Sequence, residues 1–160
     1  MLFPLSTLAE PISLRDAMTE FSNRGAKQLE GVLLSGVPVI KGTIAEQGFS
    51  SSMFECDGQD YTCRVVISRS CIEFDFAGGF DALKLANEYN LQIQPRGYAL
   101  VSNRTLGSAS LCVQVRDDLS GENRFDQSET FAWQQTVRDF RDFVEQAKRE
   151  RAAQDLLEVD

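Results

Sequence analysis

Apolar residues recur at helical spacing near both ends of this chain and at alternate positions through its middle. Near the start, Leu14, Ala17, Met18 and Phe21 share one face of a helix predicted over about 13–23. Ser13-Leu14-Arg15-Asp16 has the form of a capping box, in which a hydroxyl and a carboxylate three residues on satisfy free amides at a helix start. Gly25 is placed to end that helix. Toward the other terminus, Trp133, Val137, Phe140, Val144 and Ala147 form a second helical stripe, and Asp126 with Glu129 repeats the capping arrangement. Arg138, Asp139, Arg141, Asp142 and Glu145 fall off the stripe. The stretch after Lys148 reads as a fraying extension of the same helix.

In the middle the period drops to two. Phe54 and Cys56 face one way before a turn at Asp57-Gly58-Gln59-Asp60, and Tyr61, Cys63, Val65 and Ile67 alternate after it. With Gly58-Gln59 as a tight turn, Phe54 falls opposite Cys63 and Cys56 opposite Tyr61. Beyond Ser68-Arg69-Ser70, the residues Ile72, Phe74 and Phe76 make a third strand with Glu73 and Asp75 outward. Ala77-Gly78-Gly79 breaks it, and residues 80–90 read as a helix burying Phe80, Leu83 and either Ala86 or Asn87. Two further strands, Tyr98–Val101 and Leu111–Val115, flank a loop over 102–110, and a short strand at 91–94 can precede them. Residues 117–124 connect to the last helix.

Residues 26–50 admit two readings. Ala26, Leu29, Leu33 and Leu34 continue a helix and Val37–Ile40 form a short strand between Gly36 and Gly42, or Pro38 opens a helix carrying Ile40 and Ile44 that Gly48 stops. The element order is helix, three strands, helix, two or three strands, helix. That order predicts an α+β domain with an antiparallel β-sheet and helices packed on one of its faces. Residues 1–36 are expected to form an arm and helix, 37–150 the main domain and 151–160 an acidic tail.

Composition narrows the chemistry. The 160 residues carry 16 Lys+Arg against 24 Asp+Glu, a formal charge of −8, and no histidine. Nucleophile–His pairs, His-ligated zinc and His acid–base catalysis are therefore out of reach. The acidic balance, with lysines only at positions 27, 41, 84 and 148, argues against a nucleic-acid partner. No run approaches the roughly 20 apolar residues of a membrane span, and Met1-Leu2-Phe3-Pro4-Leu5 lacks the basic region of a secretory signal. Cys56, Cys63, Cys71 and Cys112 include no C-x-x-C and read as small buried hydrophobes in a reducing compartment. Cytoplasmic residence is the expectation.

No candidate site emerges with converging chemistry. Asp57 and Asp60 read as hairpin-turn residues; Asp117, Asp118, Glu122 and Asp126 lack the spacing of a calcium loop; and Gly78-Gly79 lacks a phosphate-binding pattern. An enzyme would need Glu73 and Asp75 to converge with Arg64. Arginines at 64, 69, 96, 104, 116 and 124 outnumber lysines mid-chain and read as a solvated sheet face. With Trp133 and Phe143 on the last helix, Arg64 and Arg96 are the residues singled out for contact with a protein partner. No catalytic residue, metal ligand or cofactor is expected.

Leu85-Ala86-Asn87-Glu88-Tyr89-Asn90, Gly97-Tyr98-Ala99-Leu100, the strand Leu111–Val115 running into Asp117-Asp118-Leu119, and Trp133-x-x-x-Val137-x-x-Phe140-x-x-Phe143 together resemble the YbjN-like family of bacterial sensory-transduction regulators, whose fold is related to that of type III secretion chaperones. The likeness spans about 80–147, and more loosely 52–76. It implies an α+β homodimer that binds another polypeptide, with no catalytic motif to transfer. It also implies that Asn87 and Asn90 brace the turn between helix and strand. A non-enzymatic regulator or adaptor is thus the leading expectation. A secretion chaperone and a histidine-independent enzyme are the alternatives.

Overall fold

The computed structural model describes residues 10–74, 79–92, 97–105, 108–120 and 123–157. The first helix, α1 (Leu14–Asn23), follows a short strand, β1 (Ile12–Ser13), and starts at its expected cap: the Asp16 amide donates to Ser13 Oγ at 3.1 Å. It ends as expected at Gly25, whose φ of +84° permits a Schellman turn, with Gly25 N–H to Ser22 O and Ala26 N–H to Phe21 O.

Residues 26–50 contain no helix, which overturns both helical readings, while the short strand read at Val37–Ile40 is present as the start of β3. Strands β2 (Lys27–Leu34), β3 (Val37–Ile44) and β4 (Gln47–Asp57) run through this stretch as a meander. Ser35-Gly36 turns the first hairpin with both residues at positive φ, the type I′ geometry that matches strand twist. Ala45-Glu46 turns the second with φ of +49° and +65° and no glycine. That conformation costs an L-residue about 1–2 kcal/mol. Arg141 grips this turn from across the molecule, its Nη1 donating to Ala45 O at 2.8 Å and lying 3.7 Å from the Glu46 carboxylate. Replacing Ala45-Glu46 by Asn-Gly is therefore expected to raise stability by about 1–2 kcal/mol, read as a higher denaturant midpoint at unchanged slope.

The two strands expected at 61–67 and 72–76 join through Ser68-Arg69-Ser70 as one, β5 (Thr62–Phe74), residues 75 and 76 lying outside the described residues. The tight turn at Gly58-Gln59 is also corrected. Phe54 pairs with Val65 and Cys56 with Cys63, a shift of two residues that places two thiols face to face. After α2 (Gly79–Asn90), β6 (Tyr98–Thr105) and β7 (Ser108–Asp118) form a hairpin longer than expected. Residues 91 and 92 form a turn; the rest of the strand proposed for 91–94 lies outside the described residues.

All strands pair antiparallel in one sheet, in the order β2-β3-β4-β5-β7-β6, with β1 beside β5 at Ile12 and Cys63. The expected boundary at 36/37 falls inside this sheet, in the β2–β3 turn, so β2 belongs to the main domain. The three helices lie on one face. There α1 covers β2 and β3, α2 covers β6 and β7, and the long α3 (Gln127–Leu157) crosses β5 and β7 and touches both other helices. The α+β architecture read from the element order is thus present.

The core fills the space between helices and sheet. Ile40, Ile44, Phe49, Met53, Val66, Leu111 and Val113 project from the strands to meet Ala17, Phe21, Trp133, Val137, Phe140 and Val144. Phe21 is at its centre, 4.9 Å from the Phe49 ring and 5.4 Å from that of Phe125. Two serines in this layer satisfy each other across the β4–β5 pair, Ser51 Oγ to Ser68 Oγ at 2.7 Å. The last helix keeps its cap, with Ser128 N–H on Asp126 Oδ1 at 2.7 Å. It continues to Leu157 well past the core, and Arg151 holds this extension to Asp81 of α2 at 3.1 Å.

On α2 the buried set is Ala82, Leu85, Ala86 and Tyr89; Asn87 is exposed and Phe80 lies outside the described side chains. Asn90 braces the following strand as expected, donating from Nδ2 to Ala99 O at 2.9 Å and accepting from Ala99 N–H at 2.6 Å.

The cysteine reading is corrected in part: Cys63 and Cys112 are buried as expected, but the thiols are paired. Cys56–Cys63 and Cys71–Cys112 are disulfides, and no cysteine among the described residues is free. Both join directly opposed residues of neighbouring antiparallel strands. No helix of the described residues is long and apolar enough to cross a membrane.

Candidate protein-binding site

With the helices on one face, no element among the described residues covers the other face of the sheet. Alternation along each strand sets its residues in rows. One row runs Leu34, Val37, Phe54, Val65, Asp118: Leu34 pairs with Val37, Phe54 with Val65 and Val65 with Asp118, and extending the β3–β4 register sets Val37 beside Phe54. The adjoining row runs Val32, Val39, Ser52, Ile67, Arg116. Seven apolar side chains on four neighbouring strands thus form a corner of the open face. Val39 and Val65 are buried by their neighbours there, outside the core under the helices. Leu34 and Phe54 stay 49% and 38% exposed.

The next row is polar: Lys41, Ser50, Arg69, Gln114 and Tyr98. Arg69 donates from Nε and Nη2 to Gln114 Oε1, at 3.0 and 2.5 Å, and Gln114 Nε2 bonds the Tyr98 hydroxyl. This chain of bonds fixes a planar cation at the border of the apolar corner.

At the outer end of that corner, β2 is the last strand of the sheet, and its far side pairs with no strand among the described residues. Its Leu33, on the helix side, is exposed like Leu34 on the other. A free strand edge beside an exposed apolar surface is a template for another extended chain.

Of the residues singled out in the sequence, Trp133, Phe143 and Arg64 lie elsewhere. Trp133 is 2% exposed, edge-on to Phe49 in the core, which removes it from any partner contact. Phe143 is partly buried against Tyr89, at 5.4 Å. Arg64 is on the hairpin tip, 3.2 Å from Asp57, an exposed ion pair of small worth. Arg96 lies outside the described residues. The carboxylate cluster proposed for an enzyme does not converge on Arg64: Glu73 is nine positions along the same strand, roughly 30 Å away, and Asp75 is not among the described residues. No group of three or more metal-ligating side chains gathers among the described residues.

A polar recess at the end of β7 is lined by Arg116, Asp118, Leu119, Arg124 and Glu129. Hydrogen bonds from Ser120, aided by Arg116, hold the Asp118 carboxyl below its usual range. Burial, with a smaller contribution from the Asp139 carboxylate, pushes the Tyr89 phenol up to about 12. Tyr89 packs edge-on against Phe140 and Phe143 where α2 meets α3. Because an unfolded chain ionises tyrosine near 10, Tyr89 stabilises the fold fully below that pH, and the contribution is lost as pH rises toward 12. Tyr89→Phe keeps the ring contacts and is expected to flatten this alkaline decline, measured as urea midpoints between pH 9 and 12.

No family model matches the chain, and neither does any curated protein or solved structure.

Proposed function

We propose that this chain is a non-enzymatic protein-binding module, a regulator or chaperone-like adaptor of the YbjN-like kind. The observation that carries the reading is the apolar corner of Val32, Leu34, Val37, Phe54 and Ile67 on the uncovered sheet face, bordered by the free edge of β2. Partly exposed apolar residues on four adjacent strands favour contact with another polypeptide over solvent. A partner strand laid along β2 satisfies its edge amides and carbonyls while its alternate side chains reach the corner. A second copy of the chain offers the same edge, so a homodimer is one form of this assembly.

The sequence alone pointed to the cytoplasm. Two cross-strand disulfides support an oxidising compartment instead, because reducing compartments keep such pairs as thiols.

Affinity capture from the native cell, paired with light scattering, tests the binding reading. The parent chain is expected to hold a defined protein or to dimerise, and Leu34→Lys with Phe54→Lys to lose that association while keeping its circular dichroism. A parent chain that stays monomeric and captures nothing, or a double variant that associates as well as the parent, contradicts it.

A further inference from the structure

The two disulfides differ in what surrounds them. Cys63 is fully buried, is flanked on β5 by Ile12 of β1, and belongs to the main core together with the partly buried Cys56. Cys71–Cys112 is on the open face, outside that core, joining β5 to β7. Within this pair Cys112 is 0% exposed whereas Cys71 is exposed.

The sequence explains the asymmetry. Leu100 of β6 is the direct partner of Cys112 on that flank. On the other flank, the pairing of Phe49 with Ser70 sets Gly48 beside Cys71. A Cβ built on Gly48 meets nothing within 4 Å, so the approach to the Cys71 sulfur is open. Arg69, one row away on the same face, is held by Gln114; Glu73 is one row away on the other side.

We propose that Cys71–Cys112 is a thiol–disulfide exchange site, entered at Cys71 Sγ by a dithiol reductant through the gap at Gly48. The reductant's thiolate forms a bond to Cys71 Sγ, the Cys71–Cys112 bond breaks, and Cys112 leaves as a thiolate. The reductant's second thiol, after giving its proton to solvent, attacks the mixed disulfide and releases Cys71 as a thiolate. Two electrons pass from reductant to pair, and the two cysteines take up protons from solvent. The β5–β7 register extends from Val65 to Phe74, so the two thiols stay opposed after reduction and the bond re-forms readily. This site rests on exposure and register and is independent of the partner proposed above.

The test treats the folded full-length chain with dithiothreitol, traps free thiols by alkylation at successive times, and locates the label by peptide mass spectrometry. Cys71 and Cys112 are expected to label at least roughly tenfold faster than Cys56 and Cys63, with the circular dichroism unchanged. Gly48→Val, which places a branched side chain beside Cys71, is expected to slow that labelling several-fold and leave Cys56 and Cys63 unaffected. As a check that does not depend on this variant, Cys112→Ala incubated with oxidised glutathione is expected to carry glutathione on Cys71. Equal rates at the two pairs, or labelling that follows loss of the circular dichroism, overturns the proposal. A folded Gly48→Val chain that opens as fast as the parent overturns the route through Cys71, as does a folded Cys112→Ala chain whose Cys71 takes up no glutathione.

Discussion

Phe21→Ala is expected to cost about 3–5 kcal/mol of stability, the range for removing a large aromatic side chain from a packed core. Phe21 is the only large side chain of α1 that is completely buried among the described residues. Its ring meets Phe49 of β4 and Phe125 ahead of α3, and Phe49 in turn meets Trp133. Truncation leaves a cavity where helix, sheet and last helix join, with Ala17, Leu14 and Met18 left to pack α1 over β2 and β3. Chemical denaturation is expected to show the full loss as a lower midpoint, and hydrogen exchange to show α1 and β2 opening first. Phe54→Ala, on the open face, is the contrasting case and is expected to cost less than about 1 kcal/mol. Comparable losses at the two positions would mean that the core is not where the structure puts it.

The second large effect belongs to the long cross-link. Cys71–Cys112 spans 41 positions of sequence and Cys56–Cys63 spans 7. Chain-entropy arithmetic assigns about 4 kcal/mol to a loop of the first size and about 2.5 kcal/mol to the second. The Cys71→Ala, Cys112→Ala chain is therefore expected to lose more stability than the Cys56→Ala, Cys63→Ala chain, as measured by equilibrium denaturation without reductant. The order follows from which part of the unfolded chain each bond restrains. The long loop contains α2 and β6 whole, whereas the short one only closes a hairpin tip. A larger loss at the hairpin tip would contradict this assignment.

Where local chemistry decides an element, the sequence is readable. Ser13 with Asp16 and Asp126 with Glu129 mark two helix starts, and each cap is made in the structure. Asn90 clamps the strand it was expected to brace. The stripe from Trp133 to Ala147 is the helix face that packs on the sheet.

Residues 26–50 were unreadable for a physical reason. The β3–β4 turn carries Ala45 and Glu46 at positive φ, where hairpin chemistry calls for asparagine and glycine, and it depends on Arg141, far along the chain. Without that turn signal, Ile40 and Ile44 read equally well at helical spacing, although both point inward from one strand. Reading β2 as helix, and β3 as either a short strand or a helix, hid the candidate site as well, since Val32, Leu34, Val37 and Val39 align only once the two strands are paired.

The disulfides were hidden by a register error of two residues. A two-residue turn at Gly58-Gln59 sets Cys56 against Tyr61; the longer turn sets it against Cys63, and the pairing follows at once. Cys71 and Cys112 are 41 positions apart, and only the β5–β7 register, a long-range contact with no local signature, brings them together.

The proposed partner polypeptide occupies the apolar corner and the β2 edge. Amide hydrogen exchange of the chain alone and of its purified complex measures this directly. Slowed exchange is expected to concentrate in Lys27–Leu34, with protection extending to Val37–Ile44 and to the residues around Phe54. Protection confined to the helix face, with β2 exchanging as fast in the complex as in the free chain, would contradict it.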